Sequence, residues 1–120
     1  MREDDIAPGA SDAEADAYAA KAKDLYRQGE YGEALPCYEA TIRLDPQHAR
    51  AWQGKAACLN CLDRGEEALQ SYEKCLELDP KYKQAWLGKG NALRNLGQSE
   101  KALQSYEKCL ELDPKYKYAW

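Results

Sequence analysis

The sequence predicts an all-α solenoid of three antiparallel helix pairs, and three observations carry that prediction. The chain repeats itself: ALQSYEKCLELDPKYK stands at 68–83 and again, letter for letter, 34 positions on at 102–117. The same offset links Trp52, Trp86 and Trp120; Ala34, Ala68 and Ala102; and Tyr38, Tyr72 and Tyr106. A fixed period of this length marks stacked supersecondary units. Within a period, apolar residues recur at helical spacing, as in Trp52, Ala56, Leu59 and Leu62, then Ala68, Leu69, Tyr72 and Leu76. Glycine and proline punctuate these runs: Gly29 and Gly97 fall between two of them, and Pro46, Pro80 and Pro114 follow the second.

The elements follow in order. Residues 1–11, with Pro8 and Gly9, are expected to be a disordered leader. Ser11 with Glu14 three residues later makes a capping box that starts the first helix near Asp12. The helices are then expected at 12–28 and 32–45, at 49–62 and 65–78, and at 83–96 and 99–112. Pro36 would break a helix interior, at a cost of about 3 kcal/mol, so its helix must start near Gly32 or Glu33 and leave it in or just past the first turn. The pairs divide into blocks 15–48, 49–82 and 83–116, and 117–120 begin a fourth block that stops at its Trp. Trp52 and Trp86 are expected in the core, whereas Tyr82, Tyr116 and Tyr118, in Lys-Tyr-Lys loops, are expected to be exposed.

Composition narrows the function. The 120 residues carry 17 Lys+Arg against 21 Asp+Glu, a net charge of −4, which lacks the basic stripe of a nucleic-acid binder. No apolar run approaches the ~20 residues that span a membrane. One His and no Phe leave little material for acid–base chemistry, so no enzyme activity and no cofactor are expected. Five cysteines of irregular spacing fit reduced thiols in a cytoplasmic setting. Cys58 and Cys61 form a lone CxxC, but zinc needs four ligands and the only His, His48, lies in a turn, so no metal is expected. Gly54-Lys55 and Gly88-Lys89-Gly90 lack the spacing and the strand of a phosphate loop; glycines there let helices approach closely.

The residues Trp52, Ala56, Leu59, Ala68, Tyr72 and Pro80, repeated as Trp86, Gly90, Leu93, Ala102, Tyr106 and Pro114, resemble the tetratricopeptide repeat. The first block is looser, with Tyr18 for Trp, then Ala22, Leu25, Ala34, Tyr38 and Pro46. Lys21, Lys55 and Lys89 stand where the family often has Leu, and Gly65 comes late in its turn. The resemblance implies a right-handed α-solenoid and a protein-interaction scaffold whose concave groove holds a peptide. Blocks two and three share 22 of 34 residues, concentrated in the 16-residue copy, so either the duplication is recent or the chain was assembled by copying a repeat.

On the first helix of each pair, residues opposite the Trp stripe line one inner wall. Its peptide contacts are expected from Lys23, Arg27, Arg50, Gln53, Asn60, Gln84, Leu87, Asn91, Arg94 and Asn95, with Asp16 its only acid. Asn and Gln can satisfy a peptide backbone, and Arg and Lys a carboxylate, so the expected partner is an acidic protein or peptide. The second helices carry the glutamates, making an acidic outer face. Family members that clamp chaperone C-terminal tails use Lys and Asn on the first helix, Asn on the third and Lys with Arg on the fifth. Those slots here hold Ala19 and Lys23, Gly54, and Gln84 and Gly88, so no chaperone tail is expected in that mode. Two other readings stand beside the groove. One is self-association into a homodimer or stacked array through an apolar end made by Leu103, Tyr106, Leu110 and Trp120. The other is service as the recognition arm of a larger enzyme.

Overall fold

The computed structural model describes residues 10–115, and these form six α-helices: α1 (Ala10–Arg27), α2 (Tyr31–Leu44), α3 (Ala49–Cys61), α4 (Gly65–Leu78), α5 (Lys83–Asn95) and α6 (Ser99–Leu112). Each helix packs on its successor. In addition the backbones of α1 and α3, and of α3 and α5, approach closely, whereas those of α2, α4 and α6 stay farther apart. The odd-numbered helices therefore crowd the inside of a curved stack and the even-numbered ones fan out over its convex side.

Local chemistry explains the ends. After α1, Gly29 takes φ +80 and the Glu30 N–H reaches back to the Leu25 carbonyl at 2.9 Å; after α5, Gly97 and Gln98 repeat this on Leu93 at 2.9 Å. That is the left-handed cap the glycines predict. Between α3 and α4 the same position is Asp63, held at φ 61 while Arg64 N–H bonds Leu59 at 2.8 Å. Gly65, late in its turn by sequence, is the first residue of α4 instead. The Asp-Pro corners close on themselves, with Asp45, Asp79 and Asp113 Oδ1 each accepting the N–H two residues on.

The core runs between the pairs as Ala22, Ala34, Tyr38, Ala56, Leu59, Ala68, Tyr72, Ala85 and Ala92. Alanines at the contacts let the helices approach; tyrosines fill what remains. Tyr38 lies over Gly54 and Tyr72 over Gly88, so close that a Cβ at either glycine would overlap the ring. Thr41, fully buried, donates to the carbonyls of Cys37 at 3.0 Å and Ala15 at 3.2 Å and ties α2 to α1.

Five expectations are corrected. Helix α1 begins at Ala10, so Ala10 and Ser11 belong to the helix and not to the leader; 1–9 lie outside the described residues, as do Tyr116 and 117–120 with Tyr118 and Trp120. Helix α2 begins at Tyr31, which puts Pro36 at its sixth residue, beyond the first turn. The ring faces solvent and α2 runs on unbroken, held by the burial of Ala34, Leu35, Tyr38 and Thr41 around it. Tyr82 is half-buried against the core, because it caps α5 and turns inward. Trp52 and Trp86 are only partly buried; each indole N–H donates at 2.8 Å to the carbonyl of Pro46 or Pro80, clasping its helix to the preceding corner. Lys55 and Lys89 lie over these rings at 5.4 and 5.3 Å, which explains lysine where the family often has leucine: the stem covers the indole and the ammonium meets its face.

The fifth correction concerns the C-terminal end. Tyr106 is 5% exposed: its ring lies over Gly90 of its own pair and its hydroxyl donates to Asn91 Oδ1 at 2.6 Å. Leu110 is half-buried, and among the described residues of this set only Leu103 stands clear.

Candidate functional site

The concave side of α1 and α3 folds five of the expected residues into one cleft of about 380 Å³: Lys23, Arg27, Arg50, Gln53 and Gln84. Lys23 and Arg27 stand one turn apart on α1. Arg50 rises from the first turn of α3 and Gln84 from that of α5. Tyr38 and Gly54 form the floor, and Tyr26, Ala57 and Tyr82 complete the lining. Three cations converge and no carboxylate lines the cleft. Asp16, the wall's acid, lies beside it, with Oδ1 at 3.5 Å from His48 Nε2.

The tyrosines here stay protonated and keep an O–H to donate. Burial pushes the Tyr38 hydroxyl up to about 12 and the Tyr26 hydroxyl well above its ordinary value, so both keep their protons at neutral pH. Tyr82 is raised mainly by burial, against the opposing hydrogen bond from Arg50. Guanidinium, ammonium and phenolic O–H groups together present positive charge and hydrogen atoms, the complement of a carboxylate.

One repeat further along the groove, the positions of Lys23, Tyr26, Arg27, Arg50 and Gln53 are held by Ala57, Asn60, Cys61, Gln84 and Leu87. These equivalents carry no formal charge, and two of them, Ala57 and Gln84, line the cationic cleft itself. One cross-helix contact recurs from repeat to repeat: Tyr26 Oη lies 3.8 Å from Cys61 Sγ, and Asn95 Nδ2 donates to Asn60 Oδ1 at 3.5 Å. The remaining expected residues are placed differently. The Asn91 side chain is occupied by Tyr106, and Leu87 is half-buried against the Leu93–Ala102–Tyr106 cluster. Arg94 sits beside Ser99, Leu103 and Tyr106, around a hollow of about 330 Å³ between α5 and α6.

Two features escape the sequence pattern. Tyr38 and Tyr82 line the cleft although one reads as core and the other as loop. A larger cavity, about 500 Å³, opens on the convex side between α4 and α6, floored by Leu69, Trp86 and Leu93 and rimmed by Lys89, Lys101, Lys108 and Glu73. The equivalent positions one repeat earlier carry ion pairs, Arg64 on Glu67 at 2.6 Å at the start of α4 and Lys55 of α3 on Glu39 of α2 at 3.8 Å. Position 67 becomes Lys101 and position 64 becomes Gln98 one repeat later, so the convex cleft lacks the Arg–Glu pair. Among the described residues no group of His, Cys, Asp and Glu is arranged to hold a metal ion, and no helix is long and apolar enough to cross a membrane.

Comparison with known proteins places this architecture. Tetratricopeptide repeat family models match residues 19–82 and 84–116. The chain belongs to the tetratricopeptide repeat family. The first such domain of Spaghetti (RPAP3), solved bound to the HSP90 peptide SRMEEVD, is 27% identical with a TM-score of 0.83, over 85% of this chain and 81% of that one. The second domain of human RPAP3, solved in complex with the HSP70 peptide SGPTIEEVD, is 26% identical with a TM-score of 0.84, over 89% of each chain. The Arabidopsis OM64 domain superposes at a TM-score of 0.87 with 23% identity, over 89% of this chain and 88% of that one, a likeness of fold alone. No curated protein matches the chain by sequence. Its fold is a protein-interaction fold, and its neighbours include peptide-binding domains.

Proposed function

We propose that this chain is a non-catalytic scaffold that binds an acidic peptide segment in its concave groove. One observation carries the reading: Lys23, Arg27 and Arg50 converge on a single cleft with no carboxylate in its lining. The RPAP3 domains, solved with acidic peptides, support a peptide as the ligand. The cationic cleft sets which peptide, since oppositely charged surfaces steer encounter and select partners.

The mode differs from a grip on a chaperone's terminal carboxylate. Two of the slots that such a clamp needs are Gly54 and Gly88, and each lies beneath a tyrosine ring with no side chain to offer. The acidic side chains of the ligand, not its chain end, then supply the charge. Fluorescence anisotropy with SRMEEVD as free acid and as C-terminal amide separates the two modes. The amide should bind within about two-fold of the acid, and Lys23→Ala with Arg50→Ala should weaken both about ten-fold or more, as loss of charge-assisted contacts does. Binding that vanishes on amidation, or that ignores the double substitution, contradicts the reading.

A second reading, self-association through the C-terminal end, retains one observation: Leu103 is 49% exposed beside the hollow that Arg94 and Tyr106 line. Light scattering should then show a concentration-dependent dimer that Leu103→Glu abolishes. A strictly monomeric protein at ~100 μM rules it out, since association at ~10 μM would be visible there.

A further inference from the structure

The cationic cleft is short, and its shortness bears on which anion fits it. Lys23 and Arg27 from α1 and Arg50 from α3 converge on about 380 Å³. Among the described residues none of the three is held in an ion pair. Tyr26, Tyr38 and Tyr82 add three phenolic O–H groups to the lining. Asp16, the wall's acid, belongs to the adjoining hollow of about 400 Å³, where its Oδ1 faces His48 Nε2 at 3.5 Å.

Three positive charges in one place exceed what a single carboxylate neutralises. In an extended ligand successive side chains point to opposite faces, so of two adjacent acidic residues only one enters the cleft. The next residue on the same face stands about 6.6 Å along the chain. A phosphorylated side chain instead brings a charge of about −1.5 to −2 and three acceptor oxygens to a single point. We infer that the cleft takes a phosphomonoester dianion carried on a peptide side chain, a phosphoserine or phosphothreonine, in preference to a glutamate. This rests on the concave-groove reading and names the acid within it. Guanidinium groups such as those of Arg27 and Arg50 bind phosphoryl oxygens through paired N–H bonds. Lys23 adds a point charge, and the phenolic hydroxyls donate to the lone pairs that remain. Gln53 and Gln84 are amides able to pair with a peptide backbone, which a free phosphate lacks.

The test uses nonapeptides of Gly and Asn, labelled alike at the N-terminus and amidated, with phosphoserine, glutamate or serine at the centre. Anisotropy titrations of the whole chain at about pH 7.5 should place phosphoserine about ten-fold or more above glutamate, with serine weakest. At about pH 5.5 most of the phosphate carries a further proton, since its second pKa is about 6, while glutamate stays ionised. The advantage should then shrink to about three-fold or less. His48 and Asp16, beside the cleft, act on both peptides alike, so the ratio isolates the ligand's own charge. Arg27→Gln with Arg50→Gln, at exposed positions and with a matched circular-dichroism spectrum, should reduce the advantage to about two-fold. Equal binding of the phosphoserine and glutamate peptides at about pH 7.5 overturns the dianion and leaves the acidic groove in place. Displacement of the phosphoserine peptide by inorganic phosphate at the peptide's own concentration overturns the peptide as its carrier. Binding of both peptides that ignores the two substitutions overturns the groove itself.

Discussion

Replacing Gly88 by alanine sets two effects of known sign against each other. Alanine in a helix interior is favoured over glycine by about 1 kcal/mol, so propensity alone predicts a more stable protein. Gly88 is buried in α5 beneath the Tyr72 ring, and the added methyl would overlap that ring. Tyr72 is 3% exposed and wedged between the second and third pairs, so the ring can yield only by moving its neighbours. Overpacking of this kind costs about 1–3 kcal/mol. The net expectation is a loss of roughly 1 kcal/mol, which at an m-value of about 1–2 kcal/mol/M lowers the urea midpoint by about 0.5–1 M. Gly32 supplies the control: it lies in the first turn of α2 with nothing near its would-be Cβ, so Gly32→Ala should raise the midpoint. In a Tyr72→Leu background, which clears the space, Gly88→Ala should change sign and stabilise. A Gly88→Ala protein as stable as Gly32→Ala would refute the close-approach account of these glycines.

The remaining predictions concern the turns, the acid limit and the thiols. Gly97→Ala should cost about 1 kcal/mol in urea unfolding although no atom crowds it, because φ +80 is unfavourable for any side chain, and Asp63→Gly at the equivalent turn should gain several tenths. The hydrogen bond from Lys83, 2.9 Å away, holds the Asp113 carboxyl below its ordinary value. A depressed carboxyl contributes stability above its unfolded pKa and loses it as pH falls through the lowered one; Asp113→Asn should therefore lower Tm slightly at neutral pH and leave it little changed below the lowered pKa, flattening the acid side of a Tm-against-pH profile. Burial pushes the Cys58 and Cys75 thiols from 9.0 up to about 12, while Cys61 is exposed. Brief maleimide treatment of the folded protein should label Cys61 ahead of Cys58 and Cys75, by peptide mass mapping; rapid native labelling of Cys58 would contradict the packing.

The helices were legible because their ends are written in local chemistry. Gly29 and Gly97 need no knowledge of the fold to mark left-handed caps, and the Asp-Pro corners mark the returns. Pro36 misled because burial of Leu35, Tyr38 and Thr41 around it, a tertiary effect, extends α2 ahead of the proline. The cationic cleft was visible in part: Lys23, Arg27 and Arg50 follow from helical phase alone, and Tyr38 and Tyr82 do not. A tyrosine that covers a glycine on the next helix is core by its ring and groove by its hydroxyl end, and periodicity assigns it to one or the other. Tyr106 shows the complementary limit, since the same residue in the same repeat letters covers Gly88 of the next pair at Tyr72 and Gly90 of its own pair at Tyr106. The convex cleft was hidden because the change from Glu67 to Lys101 acquires meaning only when α4 and α6 stand side by side.

The central claim is that ligand enters on the inner face at the junction of α1 and α3, and backbone amide NMR tests it most directly. A ¹⁵N-labelled sample titrated with the acidic peptide SRMEEVD should show its largest amide shifts at Lys23, Arg27, Arg50, Gln53 and Gln84. Leu69, Lys101 and Gln104 on the convex side should remain still. Shifts confined to that convex cleft between α4 and α6 would contradict the account.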